Sequence, residues 1–142
     1  MKPFRFRPNV ALADIAFFAY GKTLGELLEN ACLAVTAVMV DPEKIKEKTE
    51  RRIEVLGDTA ETLLYNSLEE VVYLKDAEQL VFHRFEAEVI REKPYEAVVT
   101  MWGEKIDRKK HDAHADVKGI TYHDFHITKT KMDYRASVVL DV

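Results

Sequence analysis

The residue whose type fits its surroundings least is Asp14, a carboxylate set among Ala13, Ile15, Ala16, Phe17 and Phe18. An ionised carboxylate enclosed by such neighbours is costly unless something positive sits beside it. Two partners meet that demand: a lysine or arginine from an adjacent strand, or a metal ion. A second acidic feature lies at Asp141-Val142, where the aspartate side chain and the α-carboxylate of Val142 are close enough to repel. A hard cation would neutralise both, and Ca²⁺ accepts carboxylate, carbonyl and water oxygens in flexible geometry. Mg²⁺ or another divalent ion fits the same donors less specifically. The plainer reading of the second feature is a solvated chain end.

Other residues able to do chemistry are less well arranged. His111 and His114, and likewise His123 and His126, carry a spacing of three that suits zinc poorly, since helical zinc pairs are spaced by four. His123 is of more interest for its neighbours Lys118 and Thr121, because a bulge there would re-aim all three side chains into one functional surface. The basic run from Lys105 to His111 would touch RNA or an acidic partner, or simply form a solvated loop. Cys32 stands in the apolar stretch Ala31-Cys32-Leu33-Ala34-Val35 and reads as a small buried hydrophobe. No Gly-rich phosphate loop, nucleophile motif or paired-acid signature is present, so independent catalysis has little support.

The elements that must position these residues follow from periodicity. Phe4 to Arg7 alternates like a half-buried strand, and Ala13 to Tyr20 reads as a central strand with both faces apolar except at Asp14. Gly21 breaks it. Thr23 and Glu26 have capping-box spacing, and Leu24, Leu27, Leu28, Ala31, Val35 and Val38 make one apolar stripe, predicting a helix to about Val40, ended by Asp41-Pro42. After a short strand over 53–56, Asp58 to Glu61 repeats the capping-box signal, and Leu64, Leu68, Val71 and Val72 stripe a second helix.

The remainder is strand-like: 80–91, 95–106, 119–127 and 134 to the last residue. Glu92-Lys93-Pro94 reads as a hairpin turn with Lys93 extended. A change of phase between Ile120/Tyr122 and Phe125/Ile127 predicts a bulge near His123. No internal repeat is apparent. The class is α+β, a mixed, largely antiparallel β-sheet structure packed with two main helices, in one domain over 1–142.

Bulk properties narrow the function. The net charge of -4 repels phosphate backbones and favours a protein partner over naked RNA, with any RNA contact indirect. No apolar run spans a bilayer and no signal-peptide layout is present, so a soluble cytoplasmic protein is expected. Charged residues reach 32%, while Asn and Gln occur only as Asn9, Asn30, Asn66 and Gln79, a bias in the direction of heat adaptation.

Taken in order, Ala13-Asp14-Ile15, Ala19-Tyr20-Gly21 and Thr23 to Ala31 resemble the opening of the archease family. Leu63-Leu64-Tyr65 with Leu68-Glu69-Glu70 is similar to its second helix, Gly103 to Asp107 to its internal turn, Val117 to His123 to its most distinctive strand, and Val138 to Val142 to its C-terminus. The resemblance covers nearly the whole chain. It implies Ca²⁺ bound through Asp14, Asp141 and Val142, and a non-catalytic activator that promotes guanylylation and multiple turnover of an RtcB-type tRNA-splicing RNA ligase. Lys118, in the match to Lys-x-x-Thr-Tyr-His, is the next functional residue, with Thr121 and His123 beside it. An alternative role associated with the family is chaperone or specificity factor for a tRNA methyltransferase. One departure stands out: many archeases carry His-Thr-Ala-Asp where this chain has Ala11-Leu12-Ala13-Asp14, so no role for that imidazole carries over.

Overall fold

Two strand-to-helix corners organise the chain in the computed structural model, which describes residues 2–7 and 14–142. Strand β2 (Asp14–Gly21) turns into helix α1 (Leu24–Met39), and strand β3 (Thr49–Gly57) turns into helix α2 (Ala60–Glu78). Both corners use the same residues: Gly21, Thr23, Leu27 and Asn30 recur as Gly57, Thr59, Leu63 and Asn66, each 36 positions later. A β-carbon on Gly21 would stand 2.3 Å from the Leu27 nitrogen, and one on Gly57 would stand 2.4 Å from that of Leu63, so only glycine lets the strand end abut the helix. Each threonine hydroxyl caps its helix, accepting from Glu26 N–H and Thr62 N–H respectively. Each asparagine amide donates back to the strand, to Tyr20 O at 2.6 Å and Leu56 O at 2.8 Å. The sequence does carry a short internal repeat, then, and it is invisible to periodicity because only four positions define it.

The second cap also differs from its expected form. Thr59, not Asp58, is the N-cap. Glu61 is thereby released from capping and accepts instead from Ile127 N–H at 3.3 Å.

Strands β1 (Phe4–Arg7), β2, β6 (Gly119–Ile120), β7 (His126–Lys129) and β8 (Tyr134–Asp141) form a five-stranded antiparallel sheet, with β8 paired to β2, β6 and β7. Strands β3, β5 (Tyr95–Lys105) and β4 (Leu80–Arg91) form a second sheet in the order β3-β5-β4. Both helices touch both sheets, α1 through β2, β8 and β4, and α2 through β3, β4, β5, β6 and β7. The core between them is built from Phe17, Leu27, Leu28, Leu63, Leu64, Phe82 and Leu140, all fully buried. This is the α+β class expected from the sequence.

Local expectations change in two further places. The turn at 92–94 holds Lys93 at a φ of 51° with a cis Lys93-Pro94 bond, not extended, because Arg91 and Glu96 are paired and the reversal between them is tight. The bulge expected near His123 is a larger excursion: residues 121–125 leave the sheet opposite only Val138 and Val139. A small bulge does occur, at His83, between the Phe82–Gly103 and Arg84–Trp102 pairs. Ala13 and the rest of 8–13, including the Ala11 departure, lie outside the described residues.

Candidate metal and partner site

Asp14 opens β2 and Asp141 closes β8, and the antiparallel register sets them directly opposite each other. Opposed residues project from the same face, with β-carbons about 5 Å apart. Gly119 opposes Asp141 from the other side. Among the described residues, nothing lies within 4 Å of where a β-carbon on Gly119 would stand, so none of them fills the place beside Asp141. Among the described residues, the row across β2, β8 and β6 is therefore carboxylate, carboxylate and a glycine with nothing packed on it.

The positive partner that Asp14 seemed to need is not found among the described residues. Among the described residues no lysine, arginine or histidine forms an ion pair with Asp14 or Asp141. Asp14 is only half-buried at the strand end, which lightens the desolvation that its apolar neighbours suggested. Positive charge gathers farther along the same face, where the guanidiniums of Arg5, Arg7 and Arg135 stand 5.2, 5.0 and 4.9 Å from the Phe18 ring centre. Arg7 is itself engaged by Asp124 at 2.7 Å.

Ca²⁺ suits these donors in kind, since both are hard oxygens. On side chains alone they make a pair: among the described residues, no three of His, Cys, Asp and Glu cluster to hold a metal. Val142 directly follows Asp141 and packs partly against the core.

Lys118 reaches the same corner through its backbone, donating N–H to Asp141 O at 2.8 Å, while its side chain is exposed. Thr121 follows with N–H to Val139 O at 3.0 Å. The Thr121 hydroxyl oxygen is buried with no hydrogen-bond partner among the described residues, an exception that buried polar atoms seldom make. His123 is exposed at the tip of the excursion. The register thus sets Asp14, Asp141, Val142 and the Lys118 backbone at one end of the sheet, with Thr121 and His123 farther along the segment that leaves Lys118.

One side of α2 fixes that segment. Glu61, Tyr65 and Glu69 follow at steps of four, and each grips it: Glu61 accepts from Ile127 N–H, the Tyr65 hydroxyl donates to Ile120 O at 3.1 Å, and Glu69 accepts from Ile120 N–H. Tyr122 stacks on Tyr65, centroids 4.4 Å apart and rings 7° from parallel. Burial, the Tyr122 hydroxyl and Glu69 raise the Tyr65 phenol above its ordinary pKa. Sequence reasoning takes Tyr122 as a strand residue and misses it; the one signal is the change of phase between Tyr122 and Phe125.

The remaining candidates have structural tasks. His111 is fully buried, accepting Asp107 N–H at Nδ1, which leaves Nε2–H to meet Glu104 at 2.9 Å. Lys110 also binds Glu104, so the basic run is partly an internal network. Cys32 is buried, and burial followed by Glu29 pushes its thiol up to about 12.

The fold and the acid pair define a class: a two-helix α+β protein whose larger sheet brings an early and a late carboxylate face to face. The chain matches the model of the Archease protein family (MTH1598/TM1083) over residues 4–142. It is 37% identical to Protein archease of Methanosarcina mazei over 132 residues, 92% of this chain and 90% of that one. It is 42% identical to Protein archease of Pyrococcus abyssi over 118 residues, 82% and 83% of the two chains. The chain belongs to the archease family. Among solved structures, the solution structure of Methanobacterium thermoautotrophicum protein 1598 superposes with a TM-score of 0.82 at 31% identity, covering all of both chains. The Thermotoga maritima archease, described as a possible chaperone, shares the fold with a TM-score of 0.64 at 22% identity over 96% of each chain. No helix among the described residues is long and apolar enough to cross a membrane.

Proposed function

We propose that this protein is a non-catalytic activator of an RtcB-type tRNA-splicing RNA ligase, promoting its guanylylation and its repeated turnover. The reading rests on family membership, and within the molecule on one observation: Asp14 and Asp141 stand opposed beside Gly119, with nothing packed on that glycine and no basic partner among the described residues. Asp14, Asp141 and Val142 would hold Ca²⁺, which supplies the charge neutralisation that two opposed carboxylates lack. Lys118, tied by its backbone to Asp141 and exposed in its side chain, would begin the docking surface, with Thr121 and His123 continuing it. The ligase is the direct partner, RNA contact passes through it, and the setting is cytoplasmic.

The test is ligation of broken tRNA by limiting ligase from the same organism. Added protein should raise product per ligase well above one, and an unchanged turnover number would remove the proposal.

A second reading, chaperone or specificity factor for a tRNA methyltransferase, takes support from the description of the Thermotoga relative. It predicts suppressed light scattering from that methyltransferase on heating with no ligase present.

A further inference from the structure

Tyr122 is 78% exposed, yet it is held in one orientation. One ring face lies on Tyr65, and Tyr65 is itself fixed by its hydrogen bond to Ile120 O and by the edge of Phe125, centroids 5.6 Å apart at 79°. The other face of Tyr122 looks outward. Beside it lies a cavity of about 200 Å³ lined by Glu61, Thr62, Tyr65, Asn66, Tyr122 and Phe125. Nothing in the core needs this arrangement, and an ordered aromatic at the surface is typical of a contact residue.

The chemistry of the walls selects the guest. The outward ring face of Tyr122 is electron-rich, and the charged group among the lining residues is the carboxylate of Glu61; among the described residues no lysine, arginine or histidine lines the cavity. Glu61 spends Oε2 on Ile127 N–H, leaving Oε1 without a partner among the described residues. Glu69 adds a second negative charge on the same side of α2, and the whole chain carries -4. A phosphate would find repulsion here, whereas a cation would find a ring face and a carboxylate together. Planar guanidinium stacks on rings better than ammonium. The molecule already shows that packing mode on its other sheet, where the Arg84 guanidinium lies 3.6 Å from the Trp102 ring centre.

We propose that Tyr122, Tyr65, Phe125 and Glu61 form a receptor for an arginine side chain on a basic segment of a protein partner. The inference stands apart from the ligase reading, since it specifies the chemistry of the contact and not the identity of the partner.

The test uses the full chain, isotope-labelled, and a short Gly/Ser peptide bearing spaced arginines, followed by NMR. The Tyr122, Tyr65 and Phe125 resonances should shift saturably. The same peptide with citrulline, a neutral isostere, should bind about tenfold more weakly. Tyr122→Ala and Glu61→Gln should each weaken binding about fivefold to tenfold, the scale of one cation–π or charge-assisted contact, while Tyr122→Phe stays within about twofold. An unchanged amide spectrum away from the pocket certifies the fold of each variant, and Glu61→Gln and Tyr122→Phe decide the matter if Tyr122→Ala unfolds. Equal binding of the citrulline peptide, or no shift at these residues, would overturn the proposal. So would shifts produced by oligouridylate and not by the peptide, which would make the pocket a base-stacking site.

Discussion

Asp14 and Asp141 come from the two ends of the chain and are direct cross-strand neighbours in antiparallel β2 and β8. Like charges so opposed destabilise a sheet by a few tenths to about 1 kcal/mol. The fold tolerates this because both residues lie at strand ends, where Asp14 is half-buried and Asp141 exposed. Relief of the repulsion by an ion or by mutation should therefore be measurable.

In chelator, Asp141→Asn should melt at the wild-type temperature or up to about 3 °C above it, the shift that about 1 kcal/mol gives in a chain of this size. In millimolar CaCl₂ the order should reverse, because an ion bound only by the folded state stabilises it by mass action and the variant has lost a ligand. Paired thermal melts with and without Ca²⁺ check both signs.

Glu104 makes part of the fold's stability sensitive to acid. Burial alone would raise its pKa, but hydrogen bonds from His111, Lys46 N–H and Lys110 overcome that and hold it at about 2, below its ordinary 4.5. The folded pKa is depressed, so between these values the unfolded chain takes up a proton that the native one does not. The stabilisation is complete above pH 4.5 and is lost as pH falls through 4.5 toward 2, amounting to roughly 3 kcal/mol. Urea unfolding from pH 6 to pH 2.5 should show this slope in the wild type and a flatter one in Glu104→Gln, which starts less stable.

Gly103 marks where the second sheet closes most tightly. A β-carbon there would stand 1.9 Å from Val81 O and 2.7 Å from Phe82 Cα, next to the bulge at His83. Backbone must move to admit it, so Gly103→Ala should cost about 3 kcal/mol or more by denaturant titration. A loss below about 1 kcal/mol would mean that the bulge absorbs the methyl group.

Much of this was legible in the residues. The apolar stripes mark both helices, Thr23 marks the start of the first, and β4 spans the 80–91 predicted for it, because these signals are local. Asp14 and Asp141 stood out by type alone, and the ending of strand-like sequence at Asp141-Val142 placed that pair in a sheet. Their opposition was not legible, since strand order depends on contacts between distant segments and no local pattern encodes which strand lies beside which. The excursion at 121–125 was read as a single bulge because a phase change fixes where a ladder breaks but not how far the chain departs. Tyr122 escaped notice for the same reason: its exposure comes from the grip of Glu61, Tyr65 and Glu69 on the flanking backbone, residues that in sequence are simply a helix side. Glu61 itself was misassigned to a capping box until the structure set the cap one residue later at Thr59.

The proposed divalent-ion site joins two carboxylates that lie far apart in sequence, Asp14 and Asp141. Calorimetric titration of Ca²⁺ into the metal-free wild type, Asp14→Asn, Asp141→Asn and the double variant tests it most directly. One ion per chain is expected in the wild type, with a loss of about tenfold or more in each single variant and a double variant little worse than either, as for ligands of a shared ion. Undiminished Ca²⁺ binding in both single variants, or no binding by the wild type, would contradict it.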